Sequence, residues 1–107
     1  MKRYGSVIRL RPEKLEEYKR LHAAVWPGVL KMIHDCNIRN YTIFYRDGLL
    51  FGYYEYHGRD YEADMATMAA DPVTQKWWKL TAPCQQPVDS APEGTWWAPM
   101  EEFFHTD

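Results

Sequence analysis

The sequence has few cysteines, no excess of charge of either sign and no long apolar run. Its 107 residues include two cysteines, Cys36 and Cys84, whose spacing matches neither a CxxC motif nor a metal site. We therefore expect reduced thiols rather than a disulfide framework. The net charge of -2, with acids and bases interspersed, offers no basic surface for nucleic acid and no polybasic patch for a membrane.

Several hydrophobic and cofactor signals are also missing. No segment is apolar for long enough to span a bilayer, and the first residues lack the apolar run of a signal peptide. We expect a cytoplasmic protein with one domain, residues 1–107. The phosphate-binding glycine motifs and the GxSxG motif of activated serines are absent. His34, His57 and His105 pair with no second ligand at metal-binding spacing, so we expect neither a cofactor nor a protein-bound metal.

Aromatic residues, by contrast, are abundant. There are five tryptophans, eight tyrosines and four phenylalanines. Carbohydrate sites and protein interfaces both use such rings, so the excess favours these two roles without deciding between them.

The predicted elements follow the order β-α-β-β-α-β. We expect strands or helices at about 4–10, 13–24, 27–34, 38–46, 49–57, 59–69, 72–80 and 100–105. Asp47-Gly48 predicts a two-residue hairpin turn, since both positions of a type I′ turn need positive φ. This order is typical of the α+β ferredoxin-like fold, a split βαβ arrangement with one antiparallel sheet.

Both faces of the predicted hairpin are apolar or aromatic. One face carries Tyr41, Ile43, Tyr45, Leu50 and Tyr54, and the other carries Thr42, Phe44, Phe51 and Tyr53. Helices can cover only one of them. We therefore expect a second copy of the chain to cover the other, giving a homodimeric α/β barrel.

The Tyr18–His22 pair is the strongest candidate for chemistry. The two side chains lie four residues apart on the first helix and share its inward face with Leu15 and Val25. A sheltered imidazole beside a phenol can transfer protons near neutral pH. The alternative is a hydrogen-bonded histidine of the core.

Each of three other clusters can be interpreted either as part of a binding site or as ordinary structure. Tyr41 begins the strand after the first helix and either faces that helix or is an ordinary strand aromatic. Trp77 and Trp78 diverge by about 100° on their helix, so one ring can line a cavity while the other packs in the core, or both can be core. The segment 86–92 is either a site cover or an ordinary proline-containing loop.

These motifs together resemble the L-rhamnose mutarotase family. The resemblance covers the whole chain in order and rests on Glu16 to His22, Val25-Trp26-Pro27, Asn40-Tyr41, Pro72-Val73, Lys76 to Lys79, the late loop with Asp89-Ser90, and Phe103-Phe104. It implies a cytoplasmic homodimeric isomerase that interconverts the α and β anomers of a monosaccharide, a 6-deoxy sugar. It also implies that His22 is the acid catalyst and that Tyr18, Tyr41, Trp77 and Trp78 bind the sugar.

The chain departs from the family pattern in two places. The family loop Asn-Pro-Asp-Asn-Ser-Pro is replaced by Gln-Pro-Val-Asp-Ser-Ala-Pro at 86–92, and the segment 93–99 is longer and more aromatic. Both changes lie where a sugar pocket would close, so the sugar could be L-rhamnose or another such as L-fucose. Two other functions also fit the fold, a cofactor-free monooxygenase and a binding module without catalysis.

Overall fold

The first strand lies inside the sheet and pairs with a neighbour on each side. A computed structural model describes all residues from 1 to 107. Its elements are β1 (Lys2–Leu10), α1 (Leu15–Ala23), α2 (Pro27–Asp35), β2 (Ile38–Arg46), β3 (Leu49–Tyr56), α3 (Tyr61–Ala70), α4 (Pro72–Thr81), β4 (Gln85–Gln86) and β5 (Ala98–Met100). Short 3₁₀ turns at Pro12–Lys14 and Ala82–Cys84 precede α1 and β4.

The sheet is antiparallel in the order β2-β3-β1-β4, and β5 pairs with β1 as well. This topology confirms the predicted ferredoxin-like α+β fold. The hairpin turn is confirmed too, with φ of 50° at Asp47 and 80° at Gly48. None of the helices has the length and apolar character that crossing a membrane requires.

The core forms between α1 and one face of the sheet. Ile8 pairs with Leu50 across β1 and β3, so both side chains point to the same side. With Leu10, Tyr18 and Cys84 they form the buried cluster. Thus α1 presents the predicted inward face, and Tyr18 is part of the core as well as of the candidate site.

One boundary prediction is wrong. The last strand was expected at 100–105, but β5 spans Ala98–Met100 and pairs with Gly5, Ser6 and Val7 of β1. The pairing with β1 stops at Gly5, so residues 101–105 lie outside the sheet.

Candidate active site

Tyr18 and His22 are in contact on α1, as their spacing predicts. Tyr18 is 6% exposed, and its ring centroid lies 4.3 Å from that of His22 at an interplanar angle of 35°. The phenol is anchored in the core, whereas His22 is only partly buried. A ligand can therefore reach the imidazole from the side that the core leaves open.

One hydrogen bond fixes the tautomer of His22. Its Nδ1 lies 2.9 Å from the main-chain carbonyl oxygen of Tyr18. A carbonyl oxygen only accepts, so Nδ1 carries a proton and donates. Nε2 makes no hydrogen bond within the protein and is left to exchange a proton with a ligand.

Trp77 forms a wall beside His22. Their ring centroids are 5.4 Å apart in an edge-on arrangement, and Trp26 also packs edge-on against Trp77, with centroids 5.3 Å apart. Trp77 is 6% exposed and Trp78 is 42% exposed. The Asp71 carboxylate accepts from the amide of Thr74 and so fixes the start of α4. Trp77 thus joins the Tyr18–His22 pair, while the ring of Trp78 lies outward.

Tyr41 is directed to the helix-covered face by an irregularity in β2. Between Arg39 and Thr42 the register shifts, and Asn40 has a φ of 52°. The Asn40 amide donates to Glu55 at 2.9 Å, which holds this turn of the backbone. Tyr41 packs edge-on against Tyr54 with centroids 5.4 Å apart.

Burial raises the phenol pKa of both Tyr18 and Tyr41. Burial raises the pKa of Tyr18 to about 12, a hydrogen bond from Gln85 opposes the rise, and repulsion by the Tyr41 phenol adds to it. Tyr41 is 45% exposed as a residue, and burial raises the pKa of its phenol as well. Both groups are therefore neutral hydrogen-bonding groups near neutral pH.

Gln85 and Trp96 belong to this site although no sequence motif marks them. Gln85 Nε2 donates to the Tyr18 hydroxyl at 2.9 Å, and Trp96 Nε1 donates to Gln85 Oε1 at 2.7 Å. For Gln85, the only sequence signal would have been a polar residue at a buried strand position, and β4 is too short to be predicted.

The segment 86–92 forms no side-chain hydrogen bond or ion pair with the Tyr18–His22 pair. In the segment 86–92, Asp89 forms an exposed ion pair with Arg9 at 3.3 Å. A cavity of about 690 Å³ lies near the C-terminal segment, where Lys2, Tyr53 and Phe104 are among its walls, and none of the predicted site residues lines it. Nowhere do three or more His, Cys, Asp or Glu side chains cluster closely enough to hold a metal ion.

Comparisons with known proteins match the whole chain. The family model described as L-rhamnose mutarotase matches residues 3–106. The L-rhamnose mutarotase of Oceanobacillus iheyensis is 33% identical over 110 residues, and that of Phocaeicola vulgatus is 34% identical over 110 residues, each alignment covering 100% of both chains.

Two solved structures show a similar fold. A crystal structure of an L-rhamnose mutarotase from Formosa agariphila has a TM-score of 0.78 at 23% identity and covers 100% of both chains. The tetracenomycin F2 cyclase of Streptomyces glaucescens, a type-II polyketide cyclase, has a TM-score of 0.75 at 16% identity and covers 100% of this chain and 98% of its own. The same fold therefore occurs with different chemistry.

Proposed function

Because the chain belongs to the L-rhamnose mutarotase family, we propose that it is an isomerase that interconverts the α and β anomers of L-rhamnose, with His22 as its acid catalyst. The observation that carries the assignment of His22 is the hydrogen bond from its Nδ1 to the Tyr18 carbonyl at 2.9 Å. This bond holds the ring and leaves Nε2 as the one nitrogen that can exchange a proton with a sugar.

The reaction needs little beyond a positioned acid. Protonated His22 gives the proton on Nε2 to the ring oxygen, the bond between that oxygen and the anomeric carbon breaks, and the anomeric hydroxyl loses its proton to water as the carbonyl forms. Closure of the chain on the other carbonyl face reverses these transfers and returns the proton to Nε2. Positioned acids typically contribute about 10²–10⁴-fold, which suits a reaction that already proceeds in water.

Aromatic side chains around His22 supply the binding surface. We assign Tyr18 and Tyr41 as hydrogen-bonding groups for sugar hydroxyls, and Trp77 and Trp78 as rings for its apolar face. Trp77 contacts His22 directly, and the exposed ring of Trp78 can stack on a sugar from outside. The methyl group of a 6-deoxy sugar suits such a pocket better than a hydroxymethyl group does.

The protein works as a homodimer in this proposal. Phe44 is 64% exposed on the sheet face opposite the helices, and Phe103 and Phe104 are 95% and 68% exposed in the C-terminal segment. A second copy would remove these rings from water, and the interface should exceed about 1,000 Å² in total. We also place the protein in the cytoplasm, where its two unpaired cysteines would stay reduced.

Saturation-transfer NMR on L-rhamnose tests the activity directly. At equilibrium, saturating the anomeric proton of one anomer should diminish the signal of the other anomer when the protein is added. Parallel samples with L-fucose compare the two candidate sugars. Exchange of both sugars at no more than the buffer rate would contradict the proposal and would favour the monooxygenase or the binding module.

A further inference from the structure

We propose that Gln85 and Trp96 are positioning residues that direct the phenol proton of Tyr18 towards the bound sugar. The inference rests on the proposed function, because it concerns how that site presents one of its binding groups. Two hydrogen bonds link these three side chains, which come from separate parts of the chain: Trp96 donates to Gln85, and Gln85 donates to Tyr18.

The first step is the orientation of the Gln85 amide. The indole Nε1 of Trp96 can only donate a hydrogen bond, so the amide atom that it meets at 2.7 Å must be the oxygen. The Nε2 group of Gln85 is consequently the one that faces Tyr18. Without the indole donor, the amide could turn over and present its oxygen to the phenol.

The second step is the direction of the Tyr18 proton. An amide nitrogen donates and does not accept, so the Tyr18 oxygen accepts the bond from Gln85 at 2.9 Å. The phenol makes no other side-chain hydrogen bond, and its own proton is left for a ligand. Because burial raises the pKa of Tyr18 to about 12, that proton is present throughout the neutral range.

The backbone around Gln85 is held firmly enough for this role. Gln85 pairs with Leu10 in the sheet, which puts its side chain on the same face as the core residue Leu10. The amide of Arg11 donates to the carbonyl of Cys84 at 2.8 Å. Gln85 itself is 5% exposed, so water cannot readily replace either of its partners.

The decisive variant is Gln85→Glu, which keeps the size and shape of the side chain. An ionised Glu accepts from Trp96 and from Tyr18 together, so the phenol proton turns away from the sugar. A protonated Glu carries an O–H donor and restores the original pattern. We expect the catalysed exchange rate to fall roughly 10- to 100-fold at high pH, and the ratio of variant to wild type to recover as the pH is lowered.

Three comparisons separate positioning from a structural defect. Gln86→Glu, a change at the neighbouring exposed residue, should leave the exchange rate unchanged. In the Tyr18→Phe background, Gln85→Glu should cause no further loss, since no phenol proton remains to be directed. Trp96→Phe removes the indole donor and keeps one aromatic ring at a residue that is 44% exposed, and should lower the rate by roughly two- to tenfold in a folded protein.

The outcomes distinguish this inference from the function on which it rests. If the wild type catalyses exchange while Gln85→Glu and Trp96→Phe match it at every pH, the positioning role is wrong and the mutarotase proposal stands. An equal loss by Gln85→Glu with and without the Tyr18 phenol would also overturn it. A wild type without exchange would overturn both.

Discussion

His22 donates from Nδ1 to the main-chain carbonyl of Tyr18, one helical turn before it, at 2.9 Å. The acceptor belongs to the backbone, so the tautomer of His22 does not depend on the Tyr18 side chain. The phenol can consequently be removed while the imidazole keeps its orientation. This separation allows the acid and the hydrogen-bonding group to be tested one at a time.

Replacing His22 should remove catalysis and leave the fold in place. His22→Ala should abolish most of the catalysed anomer exchange, and His22→Asn should fail as well, because an amide can hydrogen-bond the ring oxygen but cannot protonate it. The exchange rate by NMR and the melting temperature should be measured together. Near-native exchange in His22→Ala with a normal melting curve would return His22 to the role of a core residue.

Replacing Trp77 should mainly affect stability and exchange, whereas replacing Trp78 should mainly affect sugar affinity. Trp77 is buried against His22 and Trp26, so Trp77→Ala should lower the free energy of unfolding by roughly 3–5 kcal/mol and also reduce exchange. Trp78→Ala removes a ring that is 42% exposed, and should weaken sugar affinity with a much smaller stability change. Denaturant titrations and sugar titrations measure the two effects. Unchanged sugar affinity in both variants would exclude a stacking role.

The fold was predictable because short-range signals specify most of it. Asp47-Gly48 selects a turn with two positive φ values, Asp71-Pro72 caps and starts α4, and the Tyr18–His22 spacing sets one face of α1. Each depends on residues close together in the sequence. The pairing of β4 and β5 with one edge of β1 joins segments from opposite ends of the chain, and no local pattern reveals it.

The hydrogen bonds that link Trp96, Gln85 and Tyr18 were not predictable for a related reason. Gln85 and Tyr18 are 67 residues apart, and Gln85 lies in a strand of 2 residues, too short for any periodicity. Trp96 was visible only as part of an unusually aromatic segment. Sequence spacing locates Tyr18 and His22, but the partners that orient the phenol follow from the packing of distant segments.

Disrupting the open face of the sheet should separate the proposed dimer. Phe44→Glu places a charge where a second copy would bury an aromatic ring, so the mass by light scattering at micromolar concentration should fall from dimer towards monomer. Leu30→Glu is a matched control, because Leu30 is 53% exposed on α2, outside the sheet. A monomeric wild type, or a fully dimeric Phe44→Glu, would contradict the proposed interface.

Alkaline pH should destabilise the protein through its buried phenols. The pKa of Tyr18 rises from its ordinary value of 10.0 to about 12 in the folded protein, mainly through burial. The same cause raises the pKa of Tyr54, where a hydrogen bond with Tyr61 adds to it. Because the folded state holds these protons more tightly than the unfolded chain, the stabilisation is complete below about pH 10 and is lost as the pH rises towards 12.

Tyr18→Phe isolates the contribution of one phenol to this loss of folding stability at alkaline pH. Two units of pKa correspond to roughly 2–3 kcal/mol, so the wild type should lose up to that much through Tyr18 between about pH 10 and pH 12. Chemical denaturation at about pH 8 and pH 11 should therefore give a smaller decrease for Tyr18→Phe than for the wild type. Some decrease should remain, because Tyr54 still titrates. An identical decrease in both proteins would mean that the Tyr18 phenol titrates as freely in the folded state as in the unfolded chain.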